Sequence, residues 1–265
     1  MNVLEVSEVS KTYQLESRSP WSNGKRFCAV NRASLTIKEQ ECVGLVGESG
    51  CGKSTLSRLI LALDQPDSGE IFFMSKKWNK MSQKQRFPYR RYMQAVFQNS
   101  LSSMNPRLKA GDIVVEPLLN FVKMDRKEAK AHARMLLDKV GLDPVSIDHY
   151  PHQFSGGQQQ RLAIARAISV NPKLIVLDEA ISSLDVITQS AILSLLNELK
   201  NSFGISYLFI THDIKAACFF CDRLLVMQEG TIVDEADAKK IEQFSHPAAL
   251  KLLNSMLVMH PEDRV

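Results

Sequence analysis

Val43-Gly44-Leu45-Val46-Gly47-Glu48-Ser49-Gly50-Cys51-Gly52-Lys53-Ser54 is the stretch from which the fold of this 265-residue chain is read. A short apolar run breaks at Gly47 into a glycine-rich turn, and the turn ends in Lys53-Ser54. The spacing matches G-x-x-x-x-G-K-[ST] between a strand and a helix. Glycines are needed there because the backbone must fold tightly and aim successive N–H groups at phosphate oxygens. A helix is expected from Lys53 to about Leu63, with Leu56, Leu59, Ile60 and Leu63 on one face. Its N-terminus adds partial positive charge at the same point. In such a loop the lysine, here Lys53, reaches the β- and γ-phosphates, and the hydroxyl of Ser54 ligates Mg²⁺.

Outward from the loop, apolar runs at 71–74, 95–97, 174–177, 207–210, 224–227 and 231–233 read as strands. Helical periodicity fills 126–140 and 187–200, the first opening on Asp125 with Glu128 in capping-box spacing and closing on Gly141. Strands alternating with helices imply an α/β chain with a mostly parallel sheet. The middle differs: from Asn99 to about Ala165 no strand pattern occurs, while helix signals and proline-containing loops do. That stretch reads as a helical subdomain inserted in the α/β core.

A phosphate loop needs an acidic arm for its metal. Leu174-Ile175-Val176-Leu177-Asp178-Glu179 provides an apolar strand ending in two acids, Asp178 to hold Mg²⁺ through water and Glu179 to polarise an attacking water. By itself the pair could also be a solvated strand end; beside Lys53 it reads as a catalytic arm. Phe154-Ser155-Gly156-Gly157-Gln158 then precedes a helical pattern, giving a second glycine-rich anion site about 100 residues from the first. One ATP does not need two such loops from one chain.

This second loop resembles the signature of ATP-binding-cassette (ABC) ATPases, usually Leu-Ser-Gly-Gly-Gln, with Phe154 in place of leucine. The resemblance implies a P-loop (RecA-like) core with an antiparallel β portion and an inserted helical signature subdomain. On that pattern one domain spans residues 1–250, its core at about 1–98 and 165–235 and its insertion at about 99–164, with a short helical tail over 236–265. It also implies roles. Tyr13 resembles the aromatic that stacks on adenine. Gly47, Glu48, Ser49, Gly50, Cys51, Gly52, Lys53, Ser54 and Thr55 wrap the phosphates. Ser54, Gln98 and Asp178 serve Mg²⁺, Gln98 also sensing the attacking water. Glu179 and His212 act on the γ-phosphate, and Asp185 closes the D-loop Ser182-Ser183-Leu184-Asp185. Ser155, Gly156, Gly157 and Gln158 serve the nucleotide of a second subunit. Ala180 stands where proline is usual and Ser183 where alanine is common; neither departure removes a ligand.

A narrower resemblance is to the oligopeptide, dipeptide and nickel importer ATPases. It is carried by Phe97-Gln98-Asn99-Ser100-Leu101-Ser102-Ser103-Met104-Asn105-Pro106-Arg107, by the insertion at 18–24, by His149-Tyr150-Pro151-His152-Gln153 and by Ser245-His246-Pro247. With no cysteine after Cys221 and only a short tail, the match leans to the nickel or metal-chelate members. The resemblance implies ATP and Mg²⁺ as cofactors, and a second ABC ATPase subunit, either a paralogue or another copy. It implies two membrane permeases, an extracellular binding protein and a peripheral position on the cytoplasmic face of a bacterial membrane. A peptide importer ATPase is the alternative of the same family; a non-transport ABC ATPase of DNA repair or translation is the alternative of another class. An exporter subunit fits the segment after Gln98 less well.

Composition sets the outer bounds. Apolar residues make up 45% and charged residues 23%, ordinary for a globular protein and unlike a disordered or coiled-coil chain. No apolar run reaches membrane-span length, and the first residues carry no basic-then-apolar leader pattern, so a cytosolic chain is expected. A net charge of +4 is too mild to imply nucleic acid. Seven basic residues and no acid between Lys76 and Arg91 read as a solvated face or a contact with an anionic neighbour. Five cysteines form no regular framework. Cys218 and Cys221, at redox or zinc spacing, are expected to pack in a core, and His149 and His152 to structure their loop.

Overall fold

The computed structural model describes residues 1–14 and 26–257, so the expected insertion at 18–24 and the end of the tail lie outside it. The chain separates into two compact units, Met1–Met81 with Phe209–Val265, and Ser82–Leu208.

The first unit opens on two thirteen-residue strands, β1 (Asn2–Gln14) and β2 (Arg26–Lys38), paired antiparallel. The apolar runs sought in the sequence do not reveal them, because each is a half-buried strand. Ala33, Leu35 and Ile37 point inward at every second position while Arg32, Ser34, Thr36 and Lys38 face out. The register slips between Val6 and Val9, where Glu8 and Arg32 (φ 47° each) take left-handed backbone and bend the ribbon.

β3 (Cys42–Val46) is buried along its whole length, as a strand covered on both faces must be, and feeds the glycine loop and α1 (Lys53–Ile60). β4 (Ser68–Phe73) and β5 (Lys76–Lys77) complete a four-stranded antiparallel sheet of order β2-β1-β4-β5. Helix α1 ends at Ile60, short of the expected Leu63. The chain leaves through left-handed Ala62 (φ 51°), both Leu63 and Asp64 donate back to the Arg58 carbonyl, and Leu63 is left 52% exposed. The carbonyl of Ile60, orphaned at a helix end, accepts the indole N–H of Trp78 at 2.9 Å; Trp78 is only 1% exposed and meets Phe73 edge-on.

The second unit runs through α2 (Gln83–Arg86), β6 (Met93–Phe97), α3 (Ala110–Pro117), α4 (Arg126–Lys139), α5 (Gly156–Ile168), β7 (Leu174–Asp178) and α6 (Val186–Phe203). β6 and β7 pair in parallel. No strand interrupts residues 98–173, in keeping with the helical reading of that region. Asp125 does cap α4, but through the N–H of Lys127 (2.9 Å) as an Asx turn, and Gly141 (φ +72°) ends that helix. His149 and His152 structure their loop by ring contacts with Phe154 and Tyr150.

β8 (Ser206–Thr211) carries the chain back into the first unit, followed by α7 (Ile214–Phe220), β9 (Arg223–Gln228), β10 (Thr231–Asp237) and α8 (Pro247–Leu257). β9 lies parallel to β3 and antiparallel to β10. Cys221 is buried just past α7 with its sulfur 3.4 Å from that of Cys42 at the start of β3, as expected of a core cysteine, whereas Cys218 is only half-buried. The carboxylate of Asp234 accepts from the N–H groups of Ser245 and His246 and fixes the approach to α8.

Trp78→Phe keeps the ring but strands the Ile60 carbonyl. The variant is expected to lose about 1–3 kcal/mol of stability, read from chemical denaturation; an unchanged midpoint would mean that another donor replaces the indole.

Candidate functional site

The phosphate loop is shaped by what surrounds its glycines. A Cβ on Gly47 would lie 2.2 Å from the Met227 carbonyl oxygen, and one on Gly52 (φ +112°) 2.2 Å from the Ala29 carbonyl oxygen. Only glycine lets the backbone pass between β2 and β9 at those distances. The N–H of Gly230, in the β9–β10 turn, holds the Cys51 carbonyl at 2.8 Å. Lys53 begins α1, is 4% exposed, and donates its ammonium to the carbonyls of Gly47 (2.7 Å) and Glu48 (2.9 Å). Its charge therefore sits inside the ring of the loop, solvated by backbone dipoles that an incoming phosphate can replace. Glu48 reaches the other way, to Lys251 of α8 at 2.8 Å, and that contact holds its carboxyl below the usual range.

Tyr13 is half-buried near the end of β1. Its hydroxyl donates to Asp64 at 2.6 Å, while the Lys11 ammonium stands 3.3 Å from the same carboxylate. The tyrosine bond, with help from Lys11, holds the Asp64 carboxyl below its ordinary range; burial and then Asp64 push the Tyr13 phenol up. The ring is thus oriented by an acid 51 residues away, a partner that nothing in the sequence spacing announces. His212 is exposed at the end of β8, just before Asp213, whose side chain accepts from the Ala216 N–H and caps α7.

In the second unit, Phe97 of β6 stands opposite Asp178 of β7 in parallel register, so Gln98 and Glu179 leave the sheet side by side. Asp178 is buried at 9% exposure, and Glu179 adopts left-handed backbone (φ 49°). That conformation costs of order 1–3 kcal/mol for a non-glycine residue and persists only where the surroundings over-determine it. Here a buried strand precedes Glu179, and its carbonyl accepts from both the N–H and the hydroxyl of Ser182.

Ser155 is the N-cap of α5. Its oxygen accepts from the Gln158 N–H, and the Gln158 carboxamide accepts from the Ser155 N–H at 2.9 Å, a complete capping box. Gln159 donates to the carbonyls of Pro151 and Phe154, and Phe154 itself is buried, so the loop is anchored from behind while Ser155 and Gly156 face solvent. A Cβ on Gly157 would meet Thr188 of α6 at 2.6 Å, so this glycine is required by packing within the chain. Asp185 caps α6 through the N–H and hydroxyl of Thr188.

Tyr13, residues 47–55 and His212 belong to the first unit; Gln98, Asp178, Glu179, residues 155–158 and Asp185 belong to the second. Among the described residues no helix is long and apolar enough to cross a membrane, and no cluster of three or more His, Cys, Asp or Glu could hold a metal ion.

Comparison with known proteins gives the family of the chain. The sequence profile described as "ABC transporter" matches residues 30–182. The chain is 41% identical to the nickel import ATP-binding protein NikE of Escherichia coli O157:H7, covering all of this chain and 98% of that protein. It is also 41% identical to the protein of the same name from Rhodospirillum rubrum, over 97% and 91% of the two chains. The dimeric post-hydrolysis structure of the ATP-binding cassette MJ0796, bound to ADP and Pi, superposes with a TM-score of 0.77 at 32% identity, covering 89% of this chain and 99% of that one. The cbiO1 subunit of the Clostridium perfringens cbiONQ transporter complex gives 0.78 at 27% identity, covering 98% and 96%. A strand–glycine-loop–helix around Lys53, an acid-ended parallel strand and a capped signature helix, all in a chain this similar to these cassettes, mean that it belongs to the ABC transporter family as an ATP-binding, ATP-hydrolysing subunit.

Proposed function

We propose that this ATPase powers import of nickel or a nickel chelate through two partner permeases at the cytoplasmic face of a bacterial membrane. Full-length identity to two nickel import subunits supports the cargo. The observation that carries the mechanism is that one chain bears both a phosphate loop around a buried lysine and an exposed, fully capped signature loop. Two subunits then face each other head to tail. Each nucleotide lies on the loop 47–55 of one subunit and on Ser155, Gly156, Gly157 and Gln158 of the other, with Asp185 lining the joint and the Tyr13 ring under adenine. The partner is a paralogue or a second copy.

The residues present suit Mg²⁺, because Ser54, Gln98 and Asp178 offer only hydroxyl, amide and carboxylate oxygens, the hard donors that ion takes. Those three residues would hold Mg²⁺, which would supply positive charge to offset that of the phosphates. Lys53 leaves the Gly47 and Glu48 carbonyls for the phosphates, a charge-assisted exchange within a site already organised for it. The Glu179 carboxylate orients the attacking water and accepts its proton, and His212 donates to the γ-phosphate. The held backbone of Glu179 supports this role, since it aims the side chain without an entropic cost at the moment of reaction.

Glu179→Gln keeps the shape and removes the base. Turnover is expected to fall about 100-fold or more with ATP binding intact, measured by phosphate release and nucleotide titration. In cells, replacing the native chain with this variant should abolish nickel accumulation and spare dipeptide uptake; the reverse pattern would make the cargo a peptide. Wild-type turnover would remove Glu179 from its role.

Lys53→Ala is expected to weaken ATP binding about 10- to 100-fold, the worth of a charge-assisted bond. Ser155→Arg should leave binding by the isolated chain unchanged and block ATP-dependent dimers, followed by light scattering. Equal loss of binding in both variants would mean that the signature serves its own chain's nucleotide.

A further inference from the structure

Gln160 lies in the first half of α5 and is 3% exposed, an uncharged but strongly polar group on the inward face of the helix. Its carboxamide oxygen accepts the hydroxyl of Ser100, which is itself buried. Its amide nitrogen is a buried donor with no acceptor among the described residues. A half-satisfied buried amide is worse for stability than an apolar side chain of the same size, so packing alone gives no reason for a glutamine here.

Position supplies one. Ser100 follows Gln98 by two residues, and Gln160 follows Gln158 by two, so this one bond ties the segment leaving β6 to the helix that presents the signature loop. A second tie runs parallel to it: the Arg166 guanidinium, farther along α5, donates to the Ser103 carbonyl at 2.7 Å. The Ser103 hydroxyl donates back to the Ser100 carbonyl at 2.8 Å, closing the segment into a turn. The segment is therefore stitched to α5 at both ends, and its nearer stitch is the under-satisfied Gln160.

We propose that Gln160 is a positioning residue, which through Ser100 makes the Gln98 segment and the signature loop move as one piece during turnover. This rests on the assignment of Gln98 and Ser155–Gln158 to the nucleotide given under the proposed function. Gln160 touches no reacting atom; it sets where Gln98 and the signature loop stand relative to each other.

The full-length chain tests this with Ser100→Ala, Gln160→Leu, the double variant and Ser100→Thr. Ser100→Ala and Gln160→Leu are each expected to lower kcat about five- to tenfold, with ATP affinity of the isolated chain and KM within about twofold of the native values. The double variant should be no slower than either single one, and Ser100→Thr, which keeps the hydroxyl, should restore the rate. Gln160→Leu should melt at or above the native temperature, because it removes the unsatisfied amide; a structural role would lower it. The proposal is overturned if Ser100→Ala turns over within about twofold of native, if the two losses multiply, or if lost activity tracks a lower melting temperature. Glu179→Gln is run in the same assay. Native turnover there would sink the site assignment itself, whereas an inactive Glu179→Gln beside a fully active Ser100→Ala would sink only the role of Gln160.

Discussion

The backbone of residues 47–53 passes so close to the carbonyls of Met227 and Ala29 that no Cβ fits at Gly47 or Gly52. This close passage organises the first unit. It requires β9 beside β3, so that Met227 borders the loop, and it requires β2 to offer its Ala29 edge. The Gly230 N–H then holds the Cys51 carbonyl, and the loop becomes a ring with Lys53 inside. Helix α1, which starts from that ring, is secured at its far end by the Trp78 indole. A cation held by two carbonyls and the Cys51 sulfur is under-compensated, which suits the same lysine to an anion. Stability and phosphate affinity are opposed at this point, and the surrounding strands carry the difference.

The second unit is organised around three consecutive glutamines. Successive helical residues point about 100° apart, so Gln158, Gln159 and Gln160 face three directions from one turn of α5. Gln158 closes the capping box with Ser155, Gln159 holds the Pro151 and Phe154 carbonyls, and Gln160 takes the Ser100 hydroxyl. The signature loop is therefore held rigidly from within its own chain. Gly157 contributes to this hold: its lack of a side chain lets α5 approach Thr188 of α6, the residue that Asp185 also binds. Signature and D-loop are braced against each other inside one chain.

The acidic arm has a comparable economy. Parallel pairing of β6 with β7 puts Gln98 and Glu179 at neighbouring strand ends, and the Ser182 turn holds Glu179 in a backbone conformation that it would not choose. Such residues occur where geometry matters more than local comfort. Late in the chain, α8 reaches back to the glycine loop through the ion pair of Lys251 with Glu48, so this helix borders the loop.

Local pattern was enough for much of this protein. Glycine spacing, an apolar strand ending in Asp178-Glu179, and Ser155 with Gln158 three residues on are each set by nearest neighbours along the chain, so loop, arm and signature were all legible, as were the buried strands and long helices. The thirteen-residue strands β1 and β2 were not, because a half-exposed ribbon mixes charges among its apolar residues and shows no continuous run. Leu63 was misread as part of a buried helix face because left-handed Ala62 ends α1 first, an outcome of the chain's exit path toward Asp64. What only the tertiary structure decided are the long-range polar partners: Asp64 for Tyr13, Trp78 for the Ile60 carbonyl, Lys251 for Glu48 and Ser100 for Gln160. Each joins residues 18 to 203 positions apart with no periodicity to betray it, since a hydrogen bond across a fold depends on where two backbones meet and not on how far apart they lie in sequence.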